Sequence, residues 1–148
     1  MNACETTREN HGTEILVYSK VLNDTETELH AFLQTLIPGK TVPIYRTIEG
    51  LSSRFSTPLG ETAIGVFLVS DAEDLRNIIS IQPMLSNIKI ILILPDRDRQ
   101  TITEAHNLHP RFLDYRDSDL SNVRSVLAKM IETESAMSNT VNLKDSVC

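Results

Sequence analysis

The run Ile88-Lys-Ile-Ile-Leu-Ile-Leu94, which ends at Pro95, is the most apolar stretch of this 148-residue chain. A short apolar run between polar residues is typical of a strand that is covered on both faces of a sheet. Three more runs of this kind occur, at Glu14–Tyr18, Ala63–Val69 and Arg111–Tyr115. The chain is therefore expected to fold around several buried strands.

The segments between these runs carry apolar residues at helical spacing or are polar and compatible with a helix. Helices are predicted in this way at Leu29–Ile37, Ile48–Phe55, Leu75–Ile79, Asp96–Asn107 and Leu120–Ile131. Thr41–Arg46 is a further strand, and Pro43 within it predicts an edge position, because proline cannot donate to a ladder. Strand and helix thus alternate five times, which predicts an α/β fold with a doubly wound five-stranded parallel sheet.

Two capping boxes mark helix starts. Thr25-Glu-Thr-Glu28 and Ser70-Asp-Ala-Glu73 each place a hydroxyl residue three positions before a glutamate. The first helix is therefore expected to begin behind Thr25 and the third behind Ser70. Asp71 is interpreted as a first-turn acid that the helix dipole favours.

Composition limits the possible partners and location. The formal net charge is −6, so no nucleic acid is expected as a partner, and no membrane surface either. A disulfide between Cys4 and Cys148 would join the two predicted tails and would not cross-link the core. The cysteines therefore favour a reducing cytoplasm. Residues 1–12 lack the apolar region of a signal peptide, and 1–12 and 133–148 are expected to be flexible tails of a domain at 13–132.

The order of strands and helices resembles the receiver domain of bacterial response regulators, over about residues 13–132. Ile15-Leu-Val-Tyr18 resembles the first receiver strand, and Arg111-Phe-Leu113 resembles the start of the fifth. The resemblance implies the flavodoxin-like or CheY-like (βα)5 fold and a role in two-component signal transduction. It also implies what phosphoryl transfer would need: an acidic pair after strand one, an aspartate ending strand three, a serine or threonine ending strand four, and a lysine in strand five.

The chain departs from that pattern throughout. The corresponding positions are occupied by Ser19, Lys20, Ser70, Asp71, Pro95, Tyr115 and Arg116. Lys20 would repel a divalent cation, and Asp71 lies one or two positions beyond the expected acceptor. We therefore expect a nearly neutral site with Lys20 as an internal cation, no catalysis, and neither metal nor cofactor.

A receiver fold without its acids predicts a non-catalytic pseudo-receiver that binds another protein, either a signalling protein or a second copy of itself. The resemblance implies that the face formed by helix four, strand five and helix five is used for pairing. The charged residues predicted there are Arg97, Arg99, Arg111, Arg116, Asp117 and Arg124. Mixed charges suit a self-complementary interface, and an ordinary solvated face is the alternative.

Other functions stay open. Asp71 could be a shifted phosphoacceptor, or the carboxyl edge around Ser19, Ser70 and Pro95 could form the site of a small ligand-binding domain or enzyme. The loop after the first strand has no glycine, and the chain has no Trp, so nucleotide and flavin sites are not predicted. A metal shared by His106, His109 and Asp114 is also conceivable, although two surface histidines are the simpler interpretation.

Overall fold

A computed structural model describes residues 14–37, 42–56 and 63–131. The strands are β1 (Glu14–Ser19), β2 (Ile44–Tyr45), β3 (Ala63–Leu68), β4 (Lys89–Leu94) and β5 (Phe112–Tyr115). All neighbours pair in parallel, in the order β2-β1-β3-β4-β5. The predicted five-stranded parallel sheet is thereby confirmed.

The helices are α1 (Asp24–Leu36), α2 (Ile48–Phe55), α3 (Ala72–Ser80), α4 (Arg99–Ala105) and α5 (121–131). Two 3-10 helices, Gln82–Leu85 and His106–Leu108, follow α3 and α4. Residues of α2, α3 and α4 pack into one apolar cluster, and residues of α1 and α5 pack into another. The two clusters cover opposite faces of the sheet, so the fold is doubly wound, as predicted.

Strand β1 shows how the sequence fills both clusters. Leu16 and Tyr18 belong to the cluster of α2, α3 and α4, whereas Ile15 and Val17 belong to that of α1 and α5. Successive side chains of a strand point to opposite faces, so a strand covered on both sides needs an unbroken apolar run. This is why the buried strands are recognisable in the sequence.

The edge strands are short. β2 contains only two residues, and Pro43 immediately precedes it. The carbonyl oxygen of Pro43 accepts from the amide of Val17 at 3.0 Å. Proline has no N–H to donate, but its carbonyl can still pair with β1. The predicted edge position is confirmed, although the strand is shorter than Thr41–Arg46.

The two predicted N-caps are wrong. The side chain of Asn23, not Thr25, caps α1 by accepting from the amide of Glu26 at 2.8 Å. Asp71, not Ser70, caps α3 by accepting from the amide of Asp74 at 2.7 Å. In each case the capping residue is the one with an extended backbone directly before the first helical turn, which is the geometry that a cap requires.

The predicted tails at residues 1–12 and 133–148 lie outside the described residues, and so do Cys4 and Cys148. Within the described ranges, no helix is long and apolar enough to cross a membrane.

Candidate functional site

The carboxyl edge of the sheet holds the positions at which a receiver would place its acidic pair. Ser19 ends β1 and is only 1% exposed, and its Oγ donates to the carbonyl of Val21 at 2.9 Å. Lys20 follows it with an exposed side chain. Lys20 is therefore not buried with Ser19, although it lines a cleft at this edge of the sheet.

A buried carboxylate lies beneath this edge. Asp74, in the first turn of α3, is fully buried, and its Oδ1 accepts from the hydroxyl of Tyr18 at 2.7 Å. Its Oδ2 accepts from the backbone amide and the Oγ of Ser70, at 3.0 and 3.1 Å. Burial and the bond to Asp74 raise the pKa of Tyr18 above its usual value, so the phenol stays protonated and remains a donor.

A second buried acid is held by an arginine. Glu26 of α1 is 2% exposed, and its two carboxylate oxygens accept from Nη1 and Nη2 of Arg46 at 2.7 and 2.8 Å. Nη1 also donates to the carbonyl of Ser19 at 3.1 Å. The hydrogen bonds from Arg46 lower the pKa of Glu26 below its usual range. This arginine therefore fastens α1 and the end of β1 to the connection between β2 and α2.

Arg116, directly after β5, reaches across the carboxyl edge towards β3. Its Nη2 donates to the carbonyls of Val69 and Ser70 at 3.1 and 3.4 Å, and its backbone amide donates to Leu94 at 2.8 Å. A cation thus does reach the end of the third strand, but its acceptors are backbone carbonyls. Asp71 is exposed and is used as the α3 cap.

The predicted interaction face is only partly assembled. The Arg97 guanidinium lies 4.3 Å from the ring centroid of Tyr115 and is paired with Asp117 at 2.5 Å. Their hydrogen bond raises the pKa of Arg97 and lowers that of Asp117. Arg124 does not join them, since its guanidinium lies 5.7 Å from the ring of Phe32 on α1.

The remaining predicted residues are placed as follows. Arg99 and Arg111 are exposed, Pro95 is half-buried after β4, and His106 and His109 are exposed around the end of the second 3-10 helix. Asp114 is instead buried on β5, where Oδ1 accepts from the amide of Tyr115 at 2.8 Å. Across the described ranges, no group of three or more His, Cys, Asp or Glu side chains could hold a metal ion.

A cleft of about 280 Å³ opens beside the buried acids, between the first turn of α2 and α3. It is lined by Tyr18, Lys20, Arg46, Thr47, Ile48, Glu49, Asp74, Asn77 and Ser80. The sequence predictions included only Lys20 among these residues as a site position. A signal was present for Tyr18 itself, because a tyrosine in a buried strand must find a polar partner for its hydroxyl.

The chain matches no protein-family model and no curated protein. A solved response regulator from Colwellia psychrerythraea is similar, with a TM-score of 0.55 and 14% identity over 88% of this chain and 98% of that chain. A putative pilus assembly-related protein from Burkholderia pseudomallei has a TM-score of 0.53 and 14% identity over 86% and 91%. At such identity the likeness extends to the fold alone: this chain has the flavodoxin-like, CheY-like α/β fold of the response regulator that it resembles.

Proposed function

We propose that this protein is a non-catalytic pseudo-receiver, a cytoplasmic signalling module that acts by binding another protein. The fold similarity to a response regulator supports the signalling part of the proposal. The chemistry of the carboxyl edge supports the non-catalytic part, and a partly exposed surface at the end of β5 supports the protein-binding part.

The non-catalytic part of the proposal depends on the structural roles of Asp71 and Asp74. A phosphoacceptor needs a carboxylate that is free to attack, next to further acids that bind a divalent cation. Asp71 is exposed and caps α3 through Oδ1, and Asp74 is buried with both oxygens bound to Tyr18 and Ser70. Both nearby acids therefore have structural roles, and neither Ser19 nor Lys20 adds a carboxylate.

The surface made by Arg97, Tyr115 and Asp117, which we name the β5 surface, is the best candidate for binding. The planar guanidinium is held over an aromatic ring and by a carboxylate, so less entropy is lost when a partner contacts it. Arginine and tyrosine are also enriched among residues that dominate binding energy. β5 is an edge strand, so a partner can approach it from the side.

The test compares an Arg97→Glu, Tyr115→Ala double variant with the unmodified protein in two measurements. Light scattering over a concentration series reports self-association, and quantitative affinity capture from the source cells reports other partners. Lys20→Glu is the matched control, since it reverses an exposed charge after β1, and β3 and β4 separate β1 from β5. We expect one specific partner, or the dimer, to be lost in the double variant and kept in the control; equal retention by all three proteins would contradict the proposal.

A further inference from the structure

The cleft between α2 and α3 has a polar lining that the protein-binding proposal does not use. The cations Lys20 and Arg46 directly follow β1 and β2, at the carboxyl edge of the sheet, and the neutral side chains Asn77 and Ser80 lie one and two turns along α3 from Asp74. Glu49, in the first turn of α2, is exposed and also lines the cleft. We propose that this cleft binds a small phosphorylated polyol, a molecule with one phosphate group and several hydroxyls. This inference does not rest on the proposed function.

The two cations have donors available for a ligand. Arg46 donates from Nη1 to Glu26 and Ser19 and from one hydrogen of Nη2 to Glu26. Its Nε–H and the second hydrogen of Nη2 remain available. Lys20 is exposed and takes part in no ion pair within the described part of the chain. A phosphate group can therefore accept charge-assisted hydrogen bonds from both side chains.

The acids at the cleft do not oppose an anion equally. Asp74 also lines the cleft, but it is buried and its two oxygens already accept from Tyr18 and Ser70, so neutral donors stabilise its charge and neither oxygen is left to face a ligand. Glu49 is the acid with a solvent-exposed carboxylate there. It would repel a phosphate placed beside it, but it accepts hydrogen bonds from hydroxyls, and Asn77 and Ser80 of α3 can do the same. The lining thus favours a ligand with a charged end and a hydroxylated end.

The position of the cleft in the fold agrees with a ligand site. From β1 the chain crosses to β2 over the face of α1, and it later reaches β3 over the opposite face. The connections that follow β1 and β3 therefore diverge, and crevices at such a switch point are where open α/β sheets bind ligands. Tyr18 and Lys20 bring the end of β1 to the cleft, and Asp74 brings the start of α3.

Size and preorganisation narrow the ligand class. A volume of about 280 Å³ lies below the usual range for drug-sized ligands. Tyr18 is the lone aromatic residue of the lining, and its ring is buried, so no face is offered for stacking on a nucleobase. Hydrogen bonds join Tyr18 to Asp74 and Arg46 to Glu26, so these lining side chains are held in place before a ligand binds. Less conformational entropy is then lost on binding.

The test is a titration of the ¹⁵N-labelled full chain with ribose 5-phosphate, followed by amide chemical shifts. We expect saturable shifts at Lys20, Thr47, Gly50 and Asn77, and none of that size with ribose. Lys20→Gln should weaken binding about tenfold, because one charge-assisted hydrogen bond is lost. Lys129→Gln removes an exposed lysine of α5 and should leave the affinity unchanged. Asn77→Ala should weaken ribose 5-phosphate but not inorganic phosphate.

Three results would overturn the proposal. The first is the absence of saturable shifts with ribose 5-phosphate. The second is shifts centred on Ser70, Asp71 and Arg116, which would place the anion at the receiver-type position. The third is equal affinity for inorganic phosphate and ribose 5-phosphate, which would remove the hydroxyl contacts. Well-dispersed spectra of both lysine variants show that they are folded.

Discussion

The hydroxyl of Tyr18 donates a 2.7 Å hydrogen bond to Asp74, and both side chains are buried. The bond joins the end of β1 to the first turn of α3. It follows that a carboxylate close to the end of the third strand serves the stability of the fold. In this receiver-like fold, an acid near the end of β3 therefore has a structural role.

The Tyr18–Asp74 bond should be measurable as a coupling energy. We expect Tyr18→Phe to lower the free energy of unfolding by about 1–2 kcal/mol, because a buried carboxylate loses one of its donors. Asp74→Asn should cost a similar amount or more, and the double variant should cost less than the sum of the two. Urea unfolding measures all three, with Tyr45→Phe as a half-buried control. Strict additivity would show that the bond contributes nothing.

The Glu26–Arg46 pair should make stability depend on acid. Glu26→Gln is expected to lower the free energy of unfolding by about 1–3 kcal/mol at neutral pH, because a buried, charge-assisted pair of hydrogen bonds is lost. The loss is limited because Arg46 is partly exposed and remains hydrated. The pKa of Glu26 is lowered in the folded state, so its contribution is present above its unfolded pKa and is lost as pH falls through the folded one.

The difference between the unmodified protein and Glu26→Gln should therefore shrink as pH falls below about 4. Unfolding curves at neutral and acidic pH test this. Glu28→Gln alters an exposed acid of the same helix and serves as the control. A difference that stays constant with pH would contradict the assignment.

An introduced acid should destabilise the protein at Ser19 and be tolerated at Lys20. Ser19→Asp would bury a carboxylate beside Glu26, where Arg46 already binds both residues, and should cost about 2–4 kcal/mol. Lys20→Asp changes an exposed side chain and should alter stability by less than about 0.5 kcal/mol. Chemical unfolding distinguishes the two. A similarly small effect at both positions would show that Ser19 is not buried in the folded protein.

The interior of the sheet should not tolerate a charge at Leu92. This residue is fully buried in β4, between β3 and β5, so Leu92→Asp would place an unpaired carboxylate in the apolar cluster. We expect loss of soluble, folded protein. Met84→Asp is the control, because Met84 is 41% exposed and the change should be tolerated. A soluble Leu92→Asp variant with cooperative unfolding would count against the placement of β4.

The sequence predicted the elements better than their contacts. Apolar runs such as Ile88–Leu94 and the edge proline Pro43 act locally, so the alternation of strands and helices and the edge position of β2 could be inferred from them. The caps at Thr25 and Ser70 failed, because several polar residues near each helix start can serve and only the backbone angles decide among them.

The site was harder to predict because its contacts are distant in sequence. Tyr18 and Asp74 are separated by 56 positions, and Glu26 and Arg46 by 20. A pattern within one segment cannot show that such residues meet. The contact of Arg124 with Phe32 of α1 is likewise distant in sequence, and nothing in the pattern of α5 indicates it.

Neither Asp71 nor Asp74 should accept a phosphoryl group, and intact mass after incubation with acetyl phosphate and Mg²⁺ is the most direct test. An active response regulator treated in parallel controls for the reagent. We predict an unchanged mass, because Asp71 caps α3 and Asp74 is buried in its bonds to Tyr18 and Ser70. A Mg²⁺-dependent gain of about 80 Da, the mass of one phosphoryl group, that disappears in Asp71→Asn would contradict it.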